Sequence, residues 1–198
     1  MAHKQYDLWT ANIEVHDDFI TDNDLYEQLI KESSISKTID GQNVLGLTPA
    51  QKQIHNLVTM VVVTYCMRNG IDYNNLTFTE LQKGSLHKYG QTMVSNHLYE
   101  PHDDRVEGSF LTALYYIDSS YSEYSSSWCG GELTIYKNLT FAEYPNNAIN
   151  ILPKPNRLVI FPGFNVHRVK PYFGDKPRTS LVFGWSVNDQ PQNEPLTV

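Results

Sequence analysis

Long apolar runs are missing from this chain. No stretch approaches the ~20 consecutive apolar residues that a membrane-spanning helix needs, and the opening MAHKQYDLWT holds no apolar signal-type segment. The expectation is a soluble, cytoplasmic protein without a membrane partner. Cysteine is scarce as well, with only Cys66 and Cys129 present and no CxxC pair between them. That excludes zinc-knuckle and thioredoxin-type motifs, and two reduced thiols are expected rather than a disulfide. Basic charge is outweighed: 15 Lys and Arg against 22 Asp and Glu give a formal net charge of −7, with no basic run. A binder whose affinity rests on neutralising phosphates is not expected, so no nucleic-acid partner is expected, although a small local groove of positive charge is compatible with this balance.

What the chain has is core-forming material, 40% hydrophobic and 12% aromatic residues over 198 positions. This is enough for one packed domain over 1–198 and argues against disorder. The first third reads as helical support, over about 12–70. Thr21-Asp22-Asn23-Asp24 precedes Leu25, Leu29 and Ile30 in a capping-box-like start. A second helix opens at Thr48-Pro49, with proline in the first turn, where its missing N–H costs nothing. Ile54, Leu57, Val58, Val61, Val62 and Tyr65 fall at three-and-four spacing, which predicts one buried stripe, and Asn69-Gly70 ends it.

From about 71 to 188 the pattern changes to short β-branched and aromatic runs, at 76–81, 91–99, 110–117, 132–136, 148–151, 157–161, 166–170 and 179–187. Glycine, proline and asparagine separate them. Many short strands at such spacing predict an antiparallel sandwich or barrel. The Ser/Tyr-rich stretch from Ser119 to Ser127 is too polar for a core and is a candidate lid.

His-Asp-Asp occurs twice, at His16-Asp17-Asp18 and at His102-Asp103-Asp104. A His-x-Asp triplet alone is weak evidence for a metal site. The first copy sits before the first helix, where acidic residues serve a helix terminus. The second copy follows a strand-like run into the β region. In extended chain, residues i and i+2 share a face, so His102 and Asp104 could meet one ion while Asp103 points away. His167, after Phe161-Pro162-Gly163, is the best third ligand. Two imidazoles and one carboxylate leave coordination positions open, a facial set associated with iron(II) oxygenases and unlike a closed zinc site. Manganese, cobalt or nickel would take the same ligands. From His167 the chain turns near Gly174-Asp175 and returns through Arg178-Thr179-Ser180. If these are adjacent antiparallel strands, Arg178 lies beside His167, and the Arg178 fork with the Ser180 hydroxyl suits a buried carboxylate.

With these residues assembled, the sequence resembles the prolyl 4-hydroxylase-like branch of the 2-oxoglutarate and iron(II)-dependent dioxygenases over roughly 12–188. Tyr99-Glu100-Pro101-His102-Asp103-Asp104, Gly130-Gly131-Glu132-Leu133, Phe161-Pro162 followed by His167-Arg168-Val169, and Arg178-Thr179-Ser180 are similar to that family's motifs, in their order. Asp17-Asp18-Phe19-Ile20 resembles the usual entry to such domains.

The resemblance implies a double-stranded β-helix (a jelly-roll or cupin-like barrel) packed against N-terminal helices. It implies Fe(II) and O2, 2-oxoglutarate gripped at its far carboxylate by Arg178, release of succinate and CO2, and ascorbate as a reductant. It also implies a tyrosine at the far carboxylate, with Tyr89 and Tyr99 as the options. Tyr115, Tyr116 and Trp185 are expected to pack, Gly131 to form a bulge or turn, and Arg168 to be an exposed charge. The implied substrate is a prolyl residue of a peptide or protein, with a free amino acid or other small molecule as the alternative, or a barrel that binds without turnover. A demethylase of nucleic-acid bases would show a second arginine six residues after the first, where this chain has Gly184.

Overall fold

A computed structural model describes residues 13–35, 42–43, 47–89, 100–104, 109–121, 130–136, 148–173 and 176–187, with backbone alone for 35, 42–43, 78–89 and 187. The expected strand at 91–99, most of the candidate lid, and Cys129 lie outside these residues. In chain order the elements are β1 (Glu14–His16), α1 (Asn23–Ile35), β2 (Gln42–Asn43), α2 (Pro49–Asn69), a short 3-10 turn (Tyr73–Asn75) and β3 (Leu76–Tyr89). Then follow β4 (Leu111–Asp118), β5 (Leu133–Tyr136), β6 (Ala148–Ile151), β7 (Arg157–Pro162), β8 (His167–Val169) and β9 (Arg178–Val187).

The strands form two sheets, one of six strands in the order β1-β7-β4-β9-β3-β2 and one of three in the order β6-β5-β8. All named pairings are antiparallel. The expected double-stranded β-helix with flanking helices is the architecture observed.

Period-2 alternation divides the large sheet between two cores. One face of it, with Ala113, Tyr115, Ile117, Leu158, Ile160, Leu181, Phe183 and Trp185, packs in one cluster with Leu25 and Leu29 of α1 and Ile54, Val58, Val62 and Tyr65 of α2. The other face, with Leu114, Tyr116, Val159 and Phe161, meets Leu133, Ile135 and Ile151 of the small sheet and forms the barrel interior. Strand β4 is therefore buried on both faces, where an antiparallel strand commonly leaves one face to solvent.

Local chemistry sets the helix ends. Thr48 and Gln51 make a reciprocal capping box at the start of α2, and Gly70 closes it in the left-handed conformation (φ 67°). At α1 the cap is Asp22, whose carboxylate accepts the Leu25 N–H at 3.1 Å. The acidic pair of the first His-Asp-Asp has a different role from the helix-terminus one expected. Asp17 forms a two-pronged pair with Arg157 at 2.6 and 2.9 Å, which holds its carboxyl below the usual carboxylate range. Leu57, expected in the buried stripe of α2, is exposed, and Cys66 takes a buried place instead.

Asn156 joins helix entry to sheet. It sits at φ 59°, a region asparagine tolerates better than most residues. Its side chain exchanges two 2.9 Å hydrogen bonds with the Ile20 backbone and accepts the Tyr115 hydroxyl at 2.9 Å. Asn156→Ala is expected to lower unfolding free energy by about 2–4 kcal/mol, from buried partners left unsatisfied and a strained backbone. Chemical denaturation checks this; a loss under ~1 kcal/mol would show that water replaces the asparagine.

Candidate functional site

The metal-ligating candidates converge at one end of the barrel interior. His102 and His167 form an isolated antiparallel bridge and exchange both backbone hydrogen bonds, at 2.9 and 2.8 Å. Direct partners in such a bridge present their side chains on one face, and the two rings lie 4.5 Å apart. Asp104 is not carried by a strand, as the i, i+2 argument assumed. It follows in a turn held by its N–H to the Gly163 carbonyl at 2.8 Å and by the Ser109 N–H to its own carbonyl at 3.0 Å. A Cβ at Gly163 would stand 2.3 Å from the Ser109 carbonyl oxygen, so only glycine permits this approach. One ligand atom each from His102, Asp104 and His167 lies within 4.8 Å of the others.

The ligand faces are oriented by their outer contacts. His102 Nδ1 donates to the Glu100 carbonyl at 2.8 Å, and His167 Nδ1 donates to the Asn165 carbonyl at 2.9 Å. Each ring thereby directs Nε2 inward as the free lone pair when the imidazole is neutral. Burial pushes His167 below the ordinary imidazole value, with Asp104 pulling the other way, so it is held in the form that binds metal. Thr112 of β4 donates its hydroxyl to Asp104 Oδ2, which leaves Oδ1 facing His167 Nε2 at 3.7 Å. The chemistry of this donor set, two imidazole nitrogens and one carboxylate oxygen, fits a divalent ion such as iron.

His16, in the twin triplet, bonds Glu14 at 3.2 Å on the surface and belongs to no such cluster among the described residues.

Arg178 and Ser180 open β9 and point into the same interior. Both are fully buried, and the Arg178 guanidinium carbon lies 4.7 Å over the Tyr116 ring. The route that places them differs from the expected one. His167 is in the small sheet, paired with β5, whereas Arg178 is in the large sheet, paired with β3 and β4. They are not on adjacent strands and belong to the two sheets that enclose the interior.

Tyr116 was expected only to pack, yet its hydroxyl is buried in the same space and finds no hydrogen-bond partner among the described residues; the same holds for Ser180 Oγ. Tyr116 and Ser180 are direct cross-strand partners. Tyr115, its neighbour, faces the helices as a packing residue, and so does Trp185. Tyr89 is the register partner of Arg178 through its backbone, and Tyr99 lies outside the described residues. Arg168, expected to be an exposed charge, is half-buried with its guanidinium 5.9 Å from the Tyr136 ring centroid.

Comparison with known proteins gives one family and one fold. The sequence profile described as the 2OG-Fe(II) oxygenase superfamily matches residues 84–186, a span that carries all three metal-ligating candidates and Arg178. No curated protein matches the chain. Among solved structures, a prolyl-4-hydroxylase of Pseudomonas putida aligns with TM-score 0.61 and 17% identity, covering 90% of this chain and 89% of that one. A prolyl hydroxylase of Trichoplax adhaerens, solved with a hypoxia inducible factor oxygen degradation domain peptide fragment, aligns with TM-score 0.61 and 20% identity over 90% and 84%. A viral collagen prolyl hydroxylase of Paramecium Bursaria Chlorella virus-1 aligns with TM-score 0.60 and 14% identity over 89% and 90%. At these identities the structural likeness establishes the fold, and the profile match establishes the family: this chain belongs to the 2OG-Fe(II) oxygenase superfamily.

Proposed function

We propose that the protein hydroxylates a prolyl residue of a peptide or protein, using Fe(II), O2 and 2-oxoglutarate and releasing succinate and CO2. One observation carries this reading. A two-histidine, one-carboxylate set within 4.8 Å shares a barrel interior with a fully buried arginine. In this proposal His102 Nε2, Asp104 Oδ1 and His167 Nε2 hold the metal. When bound, the iron supplies oxygen activation coupled to oxidative decarboxylation of 2-oxoglutarate, with ascorbate as the reductant that keeps it ferrous.

The chain's own residues bind, orient and exclude water. The proposed ligands carry one formal negative charge in total, so a divalent ion keeps positive charge that attracts an anionic chelating co-substrate. Arg178 receives its far carboxylate through paired N–H donors, which match that geometry better than an ammonium does. The Tyr116 and Ser180 hydroxyls, buried beside it, supply further donors. In this proposal Tyr116 takes the tyrosine role first considered for Tyr89 and Tyr99, because its hydroxyl is buried beside Arg178. Leu114, Ile135, Val159 and Phe161 keep water from the interior.

The prolyl substrate is supported by fold likeness to prolyl hydroxylases, one of them solved with a peptide. The test offers Fe(II)-loaded protein proline-containing peptides or free L-proline and measures succinate against hydroxylated product. Turnover with peptide is expected; turnover confined to free L-proline would replace the peptide reading with the small-molecule one.

Thr112 provides a prediction about the metal. Thr112→Val keeps the volume of the side chain and removes the donor to Asp104 Oδ2. Mn(II) affinity, measured calorimetrically, is expected to fall about tenfold or more, the scale on which such supporting partners act. Unchanged affinity would mean that Asp104 is oriented by its turn alone.

A further inference from the structure

We propose that Tyr172 is a positioning residue for Arg178: its ring forms the floor of the barrel behind the guanidinium stem and closes that end to water. The inference rests on the reading of Arg178 as the co-substrate anchor and adds what holds the anchor in place.

Gly131 shows the arrangement. It has φ 78°, and a Cβ built there would lie 2.7 Å from Tyr172 Cδ2 and 3.0 Å from Arg178 Cδ. The Tyr172 ring and the Arg178 stem therefore share the space over one glycine. Neighbouring Gly130, at φ 70°, bridges to Tyr172, and a Cβ there would collide with the Pro171 carbonyl oxygen at 2.1 Å. The Gly131 N–H donates to that carbonyl at 3.0 Å. The Gly-Gly pair thus lets the 171–172 backbone pass close enough to seat the ring. The Arg178 guanidinium carbon itself lies 4.7 Å over the Tyr116 ring.

Tyr172 is 3% exposed while the next residue, Phe173, is 69% exposed. The chain thus passes from buried to exposed within one residue here, and in the proposal the Tyr172 ring is what shields the guanidinium stem. Its hydroxyl donates to the Lys176 carbonyl at 2.7 Å and accepts the Ser120 N–H at 2.7 Å, and the Lys176 N–H donates to Ser120 Oγ at 2.7 Å. These bonds clip the segment after β4 to the segment before β9, and Arg178 begins β9. The ring and the aliphatic stem border the same position above Gly131, and the hydroxyl ties the two chain segments together. Without the ring, water reaches the guanidinium, and its attraction for a carboxylate weakens as the local dielectric rises.

The test titrates the full chain, loaded with Mn(II), with 2-oxoglutarate and separately with pyruvate, a 2-oxo acid that lacks the second carboxylate. Tyr172→Ala is expected to weaken 2-oxoglutarate binding about tenfold or more, with Mn(II) and pyruvate affinities unchanged. Tyr172→Phe keeps the ring and is expected to stay within about threefold of the parent. In an Arg178→Ala background Tyr172→Ala should cause no further loss, because the two changes act on one interaction.

If Tyr172→Ala does not fold, Gly131→Ala takes its place, since the added methyl must displace the ring or the stem. The same selective loss is then expected. Wild-type affinity for 2-oxoglutarate in the folded variant overturns the proposal, and equal losses for pyruvate overturn it too. Should Arg178→Ala itself bind 2-oxoglutarate like the parent, the anchor reading fails, and this inference with it. Should Arg178→Ala lose binding while Tyr172→Ala keeps it, only the positioning role fails.

Discussion

Arg178→Ala is expected to weaken 2-oxoglutarate binding by about a hundredfold or more while Fe(II) binding stays at the parent level. Truncating one partner of a buried, hydrogen-bonded charge pair costs about 2–5 kcal/mol, and each ~1.4 kcal/mol is tenfold in affinity. The residue is fully buried and set against the Tyr116 ring, so water does not readily replace it. Arg178→Lys should fall between, because an ammonium keeps the charge but not the planar fork. Iron is spared because the proposed ligands come from the 102–104 turn and β8, not from β9. Calorimetric titration of the Mn(II)-loaded variants with 2-oxoglutarate and with pyruvate reads the effect. Retained tight binding of 2-oxoglutarate in Arg178→Ala would remove the arginine from the co-substrate site.

The second large effect is expected at Asp104. Asp104→Asn keeps a carbonyl oxygen for the Thr112 hydroxyl and keeps the backbone bonds to Gly163 and Ser109. The charge and one anionic ligand atom are lost. Iron affinity should drop by at least about a hundredfold, since a divalent ion would then be held by two neutral imidazoles and an amide with no anionic ligand. The thermal midpoint of the metal-free protein should stay close to the parent's, because the hydrogen-bond pattern survives. A variant that keeps iron at parent affinity would show that Asp104 is not a ligand.

Much of this molecule could be read from its residues, and the failures have identifiable physical causes. The helix signals worked where side chain and backbone chemistry is local. Thr48-Pro49 with Gln51 gave the start of α2, and Gly70 gave its end. Strands β5, β6 and β7 lie within a residue or so of their expected spans, because turn residues bracket them. Strands β1 and β2 were missed, being three and two residues long, too short to show alternation. Strand β3 runs on to Tyr89, well past the expected end at 81, through a polar stretch that its pairing with β9 sustains across register shifts.

The site was legible in its parts and less so in its arrangement. The three ligand candidates and Arg178 were singled out from residue type and order, and the structure brings ligand atoms of the three candidates within 4.8 Å of one another. Their sheet placement was not legible, since sequence adjacency of His167 and Arg178 suggested a hairpin, whereas the chain crosses from one sheet to the other between them. Tyr116 packs in the core as expected, but its side of the strand could not be read because β4 is buried on both faces. In the run Leu111–Asp118 both faces are apolar or aromatic, so alternation cannot tell the helix side from the barrel interior. The structure resolves the faces by parity: Thr112 and Tyr116 are an even number of residues apart, and Thr112 touches Asp104, which puts Tyr116 on the site's face. The twin at His16 shows the converse: the same triplet on a short edge strand becomes part of a surface ion-pair network with Glu14, Arg68, Arg157 and Lys154.

In the proposed site His102, Asp104 and His167 hold iron in a barrel whose buried Arg178 takes the far end of 2-oxoglutarate. The most direct measurement adds 2-oxoglutarate to the Fe(II)-loaded protein without oxygen and records visible absorbance of the iron–keto-acid chelate. The account predicts a saturable chelate band in the parent, none in Asp104→Asn, and one reached only at much higher 2-oxoglutarate in Arg178→Ala. A band absent from the folded parent, or present unchanged in Asp104→Asn, would contradict it.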